Sequence, residues 1–254
     1  MHDATAPLIT VITVCYNSVS TLARALQSVK DQDWPHIEHI VVDGASSDGT
    51  LNTIARFQND LALVISEPDK GIYDAMNKGL DHAHGEIVCF LNADDQYASP
   101  QVLTHVAQQM QAYQLDALMG DVDFFHEQAP TRTVRRYRSD RFRPNRLAWG
   151  WMPAHPALFM RRSVIERVGR FKTDYRIAGD YEFVVRAFHG HTLQYRHIPE
   201  VLVRMQMGGS STKGWRATVL LNREVRRACL DNGLHTNMFK ILSKYPLKLL
   251  EMLR

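Results

Sequence analysis

Short apolar runs and helical periodicities alternate along the first 120 residues of the chain. The apolar runs, each bounded by polar residues, are LITVITV (8–14), HIVVDG (39–44), LALVIS (61–66) and IVCFL (87–91). Runs this short are typical of strands buried on both faces of a parallel sheet. The first helix between them has an apolar face formed by Leu22, Ala25, Leu26 and Val29. With further helices from Ile72 and over 99–113, the pattern predicts an α/β fold, with a mostly parallel central sheet covered by helices on both faces.

The alternation ends after a predicted strand, ALMGDV (117–122), where the chain becomes richer in Arg, Trp, His and Pro. Helix 180–188 is the clearest element of this second half. We interpret residues 122–212 as completing the edge of the sheet and supplying a second wall of a site. The expected organisation is one domain over 1–212, with halves 1–121 and 122–212, followed by a tail over 213–254.

The tail is basic and has a helical pattern. From Lys213 to the end it contains nine Lys or Arg and three Asp or Glu. Lys240, Lys244 and Lys248 share one face of the predicted helix, which Pro246 interrupts. A basic amphipathic segment of this kind favours contact with an anionic membrane surface. In the alternative interpretation, the tail packs on the domain or on a second subunit, with its lysines in water.

Composition restricts the class of protein. With 45% hydrophobic and 22% charged residues over 254 positions, the chain has an ordinary globular composition. The three cysteines lie far apart without a CxxC pair, and no signal-peptide pattern is present, so we expect a reduced protein that stays in the cytoplasm. A second basic run places seven arginines between Arg132 and Arg146 around one aspartate. It is either a solvated face or a surface for phosphorylated ligands or anionic headgroups.

Polar residues follow three of the predicted strands, where open α/β sheets bind ligands. Strand one ends at Cys15-Tyr16-Asn17, strand two at Asp43, and strand four at Asn92-Ala93-Asp94-Asp95. Asp43 can accept a hydrogen bond from a ligand or can form the following turn. Asp94 suits a hard divalent cation, because Mg²⁺ and Mn²⁺ prefer oxygen ligands. We expect Asp95 to cap the next helix.

The motifs TVCYN, VVDGASSDGT, EPDKGIYDAMNKG, FLNADD and GDYEF together resemble the family 2 glycosyltransferases in order and spacing. The resemblance continues in MPAHPALFMRR and MQMGGSS and covers about residues 8–212. It implies a GT-A-type fold and an inverting enzyme that moves a sugar from a nucleotide sugar, by analogy UDP-linked. The implied acceptor is a hydroxyl of a lipid-linked molecule or a saccharide, in the synthesis of a cell-surface polysaccharide such as lipopolysaccharide. The implied setting is the cytoplasmic face of the inner membrane, without nucleic acid, and a homodimer is left open.

The resemblance also implies roles for individual residues. Around the nucleotide these are Thr13, Cys15, Tyr16, Asp43, Asp69, Asn77 and Asn92. Asn92-Ala93-Asp94 occupies the place of the DxD motif, so Asp94 is expected to bind Mn²⁺ or Mg²⁺. Asn92 departs from that motif and adds no negative charge, which is expected to lower the affinity for the metal.

Asp180 of GDYEF matches the catalytic base, which takes the proton of the acceptor hydroxyl. Glu182 is the other nearby candidate for the base, and the alternative role of Asp180 is a purely structural one, as the N-cap of the helix. We expect the helix N-terminus to lower the pKa of Asp180. His155, Trp151 and Lys213 are the weaker candidates for contacts to the acceptor or the diphosphate, Lys213 from a loop that would close over the donor.

Two other functions are alternatives to a glycosyltransferase. A nucleotidyltransferase that makes the sugar nucleotide would share a related sheet, but it needs a Gly-rich basic loop after strand one. That position here contains CYNSVST, without Gly or Lys. A non-catalytic nucleotide- or carbohydrate-binding relative is disfavoured by the retained Asp43, Asp94 and Asp180.

Overall fold

The structure is a computed structural model, and it describes residues 6–190, 192–207 and 214–245. Several positions singled out in the sequence lie outside these ranges. They include Lys213 with the loop before it, and Lys248 in the tail.

The first half of the chain forms the predicted parallel sheet. Its strands are β1 (Ile9–Cys15), β2 (Ile37–Asp43), β3 (Leu63–Ser66) and β4 (Ile87–Phe90). They pair in parallel in the order β3-β2-β1-β4, with Ile9 opposite both Ile37 and Ile87. The helices between them are α1 (Leu22–Lys30), α2 (Thr50–Arg56) and α3 (Ile72–Asp81). Helix α1 buries the four apolar residues that the periodicity predicted, so both patterns are confirmed.

The second half extends the same sheet with mixed directions. Its strands are β5 (Asp95–Tyr97), β6 (Ala117–His126), β7 (Ala129–Tyr137), β8 (Leu158–Arg161) and β9 (Tyr195–Gln206). The full order is β3-β2-β1-β4-β8-β6-β9-β5, with β7 paired to β6. The helices are α4 (Val102–Ala112), α5 (Arg162–Val168), α6 (Gly179–Phe188), α7 (Trp215–Asp231) and α8 (Met238–Leu242).

Strand β8 corrects the expectation that the second half only completes the edge of the sheet. It lies antiparallel between β4 and β6, pairing Val88 and Ala117 with the same residue, Met160. A strand in this central position is covered on both faces, and Leu158, Phe159 and Met160 are accordingly buried. The two halves therefore share one continuous sheet.

The core lies on both faces of the sheet, as predicted. Alternate residues of β1 point to opposite sides because the side-chain period of a strand is two. Ile12 and Val14 pack with α3 and α6, whereas Ile9 and Val11 pack with α4. This two-sided burial confirms the α/β architecture.

The described part of the basic tail packs into that core. Val225, Ala228 and Cys229 of α7, with Ile241 of α8, belong to the apolar cluster that contains Ile12. Lys244, which was expected to lie in water or on a membrane, is buried, with its Nζ 3.5 Å from the carbonyl oxygen of Gly150. That expectation was wrong because α8 and Lys244 pack against residues 144–150. Among the described residues, no helix is long and apolar enough to cross a membrane.

The cap predicted at Asp95 is also wrong. Asp95 lies in β5, opposite Met205 of β9, and is fully buried. Helix α4 begins only at Val102, after Gln101. The strand pairing, which is not local in sequence, removes Asp95 from the start of the helix.

Asn77 of α3 connects this helix to the backbone at Phe171. The amide Nδ2 donates to the carbonyl oxygen of Phe171 at 2.9 Å, and the N–H of Phe171 donates to Oδ1 at 2.9 Å. Asn77 is buried, so water cannot replace either bond. This pair fixes the loop that leads towards α6.

We predict that Asn77→Ala lowers the free energy of unfolding by about 2–4 kcal/mol, because it leaves a buried N–H and a buried carbonyl without partners. Urea unfolding followed by circular dichroism measures this change. Asn52→Ala, on the exposed face of α2, is the matched control and should stay within about 0.5 kcal/mol. An equal loss in both variants would contradict the role given to Asn77.

Candidate active site

A cleft of about 1900 Å³ lies at the carboxyl ends of β1 and β4. Cys15, Tyr16 and Asn17 line it after β1, and Asn92 and Asp94 line it after β4. The cleft lies where the sequence pattern placed a ligand, because parallel strands bring their carboxyl ends to one edge.

The end of β1 forms one wall of the cleft. Cys15 is buried, with its Sγ 3.7 Å from Oδ1 of Asp43, and burial raises the pKa of this thiol. Tyr16 is 64% exposed, so its ring is available to a ligand. Thr13 does not line the cleft; it is buried, with its hydroxyl 3.0 Å from Nε2 of His39. The expected nucleotide wall therefore contains Cys15 and Tyr16 but not the side chain of Thr13.

Asp43 is fully buried and does not line the cleft. Its oxygens accept from the hydroxyl of Ser46 at 2.5 Å, from the N–H of Ser46 at 3.0 Å and from the hydroxyl of Ser66 at 2.8 Å. These bonds close the turn after β2, which was the alternative interpretation of this residue. Contact of Asp43 with a nucleotide base stays a prediction.

The residues after β4 form an acidic cluster. Asp94 is half-buried in the cleft wall, and burial raises its pKa. Asp95 lies behind it, and burial together with the charge of Asp94 raises its pKa well above the usual range. The guanidinium of Arg24 opposes both shifts. It donates to Oε1 of Gln206 at 2.6 Å and lies 3.5 Å from the carbonyl oxygen of Asp94.

This cluster fits a hard divalent cation. Oδ1 of Asn92 and Oδ1 of Asp95 are buried without a hydrogen-bond partner, so the cluster has surplus acceptor oxygens. The described residues contain no group of three His, Cys, Asp or Glu that could enclose a metal. Mg²⁺ is commonly bound by one or two carboxylates together with water and substrate phosphates. Asp94 suits that arrangement.

Asp69, which was also expected around the nucleotide, lines the cleft as well. Its Oδ1 accepts from the N–H of Gly71 at 2.7 Å. A Cβ at Gly44 would lie 2.4 Å from Oδ2 of Asp69, so a larger residue there would displace this carboxylate. Asn77 lies outside the cleft lining, and its bonds to Phe171 give it a structural role instead.

Asp180 lies in the first turn of α6. Its Oδ1 accepts from the N–H of Tyr181 at 2.7 Å and lies 3.4 Å from the hydroxyl of Tyr73. Burial raises the pKa of Asp180, partly offset by the nearby His155, so the lowered pKa expected from the helix N-terminus was wrong. Asp180 itself does not line the cleft, although Arg176 and Ile177, just before it, do.

Glu182 is excluded as the base by its surroundings. It is fully buried and pairs with Lys172 at 2.9 Å and with Arg186 at 2.9 Å. These two cations neutralise its charge, and Glu182 does not line the cleft. Asp180, by contrast, has no salt bridge within the described part of the chain.

The weaker candidates lie around the site. His155 is buried and stacks on Phe90, with ring centroids 5.5 Å apart, and burial lowers its pKa. Trp151 is half-buried, and neither residue lines the cleft. Lys213 lies outside the described residues.

An arginine-rich wall lines the same cleft as the acidic cluster. Six arginines line it: Arg135, Arg136, Arg138, Arg141, Arg176 and Arg216. The only acidic lining residues are Asp69, Asp94 and Asp140, so the described lining carries a formal net charge of six minus three, +3. Part of this charge is compensated, since Arg136 pairs with buried Asp121 and Arg138 with Asp140, each at 2.8 Å. Four of the seven arginines in the basic run that the sequence singled out therefore line the cleft.

Glu224 of α7 is a residue that the sequence analysis missed. Its carboxylate accepts from the backbone N–H groups of Arg176, Ile177 and Ala178, each at 2.8 Å. No local pattern signals this role, because the partners lie 46 to 48 residues away in the chain. Tyr73, which contacts Asp180, lies in the motif EPDKGIYDAMNKG, but the motif alone does not indicate this role.

The chain is similar in sequence to several glycosyltransferases. A glycosyltransferase of Mycobacterium tuberculosis is 32% identical over 192 residues, covering 72% of this chain and 69% of its own. A PGL/p-HBAD biosynthesis glycosyltransferase of Mycobacterium bovis is 30% identical over 211 residues, covering 81% of this chain and 80% of its own.

Solved structures share the fold. TarS of S. aureus (residues 1–349) in complex with UDP-GlcNAc has a TM-score of 0.70 at 20% identity, covering 90% of this chain and 68% of its own. The mannosyltransferase PcManGT of Pyrobaculum calidifontis, in complex with GDP-Man and Mn²⁺, has a TM-score of 0.65 at 23% identity, covering 94% and 69%. These likenesses support the fold that the resemblance implied.

Residues 10–169 of this chain match the sequence model of a protein family, glycosyl transferase family 2. This range includes the ends of β1, β2 and β4 and most of the arginine-rich wall, and it covers more than half of the chain. This match, together with the sequence identity to the mycobacterial glycosyltransferases, argues against both alternative functions, a nucleotidyltransferase and a non-catalytic binding protein. The chain belongs to glycosyl transferase family 2 and is a glycosyltransferase.

Proposed function

We propose that this enzyme transfers a sugar, with inversion, from a UDP-linked nucleotide sugar to a hydroxyl of a lipid-linked or saccharide acceptor. The observation that carries the proposal is one cleft with two poles: the acidic cluster at Asp94 and the arginine-rich wall. The first pole suits a metal-bound diphosphate, and the second suits an anionic acceptor. The complexes of TarS with UDP-GlcNAc and of PcManGT with GDP-Man support the use of a nucleotide sugar.

The donor lies along the ends of β1 and β4 in this proposal. Tyr16 and Cys15 contact the base from the wall, and the buried Asp43 lies behind them. Asn92 accepts a hydrogen bond from the ribose through its Oδ1, which has no partner within the described part of the structure. Asp69 lines the same side of the cleft. Residues 1–121 thus supply the donor half of the domain.

Asp94 would hold the Mn²⁺ or Mg²⁺. When bound, the ion neutralises charge that grows on the leaving diphosphate. The half-buried position of Asp94 strengthens this interaction, since a carboxylate attracts a cation more strongly in a partly desolvated site. The Mn²⁺ in PcManGT supports this assignment.

Asp180 is the proposed base. Inversion in one displacement requires the acceptor hydroxyl to attack the anomeric carbon opposite the leaving diphosphate and to lose its proton as the bond forms. The raised pKa of Asp180 suits this step, because general bases act best when their pKa approaches the working pH. The second half of the chain thereby supplies the base and the acceptor wall.

The acceptor is proposed to carry phosphate on a lipid, at the cytoplasmic face of the inner membrane. The arginine-rich wall supports this, since guanidinium groups bind phosphate in a bidentate way. The relative named for PGL/p-HBAD biosynthesis supports a role in surface glycan synthesis. A membrane role for residues 246–254 and homodimerisation stay open within this proposal.

We expect Asp180→Asn to retain the fold and donor affinity but to lose transfer by a factor on the order of 10²–10⁴, the usual contribution of a general base. Release of UDP from UDP-GlcNAc and of GDP from GDP-Man measures turnover, and calorimetry measures binding. Asp31→Asn, at the exposed C-terminal end of α1, is the control for a lost carboxylate. Turnover near that of the wild type would refute the assignment of the base.

A second prediction concerns the metal. Asp94→Ala should remove the stimulation by Mn²⁺ and weaken UDP binding in Mn²⁺ by at least about tenfold, since even groups that only orient a metal ligand are worth 10–100-fold. Calorimetric titrations of UDP with Mn²⁺ and with chelator measure this. Asp60→Ala, which removes a surface ion pair with Lys30, should change neither titration. Full activity of the wild-type enzyme in excess chelator would contradict the metal assignment.

A third prediction concerns the arginine-rich wall. The double variant Arg135→Gln/Arg176→Gln should raise the KM for a polyprenyl-diphosphate-linked acceptor by about fivefold per arginine, from ~1 kcal/mol for each charge. The KM for a neutral saccharide should not change. Arg132→Gln, from the same basic run but outside the cleft lining, is the matched control. An equal effect on both acceptors would argue against an anionic acceptor.

A further inference from the structure

The backbone before Asp180 is held from two sides. On one side, Glu224 of α7 is 8% exposed and accepts from the N–H groups of residues 176, 177 and 178, each at 2.8 Å. On the other side, the hydroxyl of Tyr73 donates to the carbonyl oxygen of Ile177 at 2.5 Å. In the segment that leads into α6, α7 therefore fixes three backbone N–H groups and α3 fixes one carbonyl oxygen.

The start of α6 has no cap of its own. Its N-cap residue is Ala178, whose side chain has no hydrogen-bonding group. Gly179 follows, and a Cβ there would lie 2.6 Å from the ring of Tyr73, so this ring packs directly on the first turn. The position of Asp180 thus depends on groups outside α6.

Helix α7 also reaches the cleft. Arg216 and Leu220 line it, and Glu224 follows at the same helical spacing of four residues, so the three share one face. Arg176 and Ile177, which Glu224 holds, line the cleft as well. One rigid helix therefore connects the cleft wall to the backbone beside Asp180.

We propose that Glu224 is a positioning residue for the transfer reaction: it fixes residues 176–178 and thereby the place of Asp180 relative to the acceptor. This inference rests on the proposed role of Asp180 as the base. Glu224 touches neither donor nor acceptor in this scheme and acts only through the loop. Three bonds to a single buried carboxylate give the loop a geometry that an amide, with one acceptor oxygen, cannot reproduce.

The test uses the full chain with UDP-GlcNAc or GDP-Man and Mn²⁺ as probes. Glu224→Gln should lower kcat for donor hydrolysis on the order of 10²-fold, the effect of a displacement of about 1 Å. The donor KM should stay within about twofold. Hydrogen exchange at the amides of 176–178 should accelerate. Glu38→Gln is the matched control, because Glu38 accepts from Thr10 and from the N–H of His84 at the opposite end of the sheet.

A double-mutant cycle with Asp180→Asn separates positioning from general stability. In the Asp180→Asn background, Glu224→Gln should cause no further loss, since the group that it positions is already absent. The same loss in both backgrounds, or wild-type turnover of Glu224→Gln, would overturn the inference. Wild-type turnover of Asp180→Asn alone would instead overturn the proposed base, and the inference with it. If Glu224→Gln does not fold, Glu224→Asp keeps the charge and replaces it in the same cycle.

Discussion

The parallel register of β1, β2 and β4 decides where every functional side chain of the first half lies. Cys15 is paired with Asp43, so the two strands end side by side, and β4 ends one strand away at Phe90. Apolar side chains fill most of each strand, and the carboxylates Asp43 and Asp94 come where β2 and β4 end. The acidic cluster is therefore not an independent feature. It follows from strands that all stop at one edge.

Several carboxylates in the two halves of the chain are buried, and each one is stabilised differently. Asp43 is satisfied by serine hydroxyls, Glu182 by two cations, and Glu224 by backbone N–H groups. Asp95 differs from these three, with one buried oxygen that has no partner among the described residues. Leaving a buried polar atom unpaired costs about 1–3 kcal/mol, which a folded protein tolerates mainly where function benefits. This carboxylate lies next to the residue proposed to bind the metal.

Local patterns predicted the elements whose stability is local. The apolar face of α1 and the strands β1, β2 and β4 followed from periodicity, with ends displaced by one or two residues. The short strands β5 and β8 were not predicted, because each is held by pairing with strands distant in the sequence, which no local pattern signals. The error at Asp95 has this origin. The site was predictable where motifs end strands, as at Asp94, but not at Glu224, whose partners are 46 to 48 residues away.

The central position of β8 has a consequence for how the chain can be divided. Residues 158–161 are inserted between strands that end before residue 127, so the sheet closes only after most of the chain has been synthesised. Contacts this distant in sequence slow folding, because a long loop must be ordered before they form. A fragment that stops at residue 121 would leave the edges of β4 and β6 without their shared neighbour. Such open edges can recruit strands from other molecules, so residues 1–121 are expected to aggregate as a separate fragment.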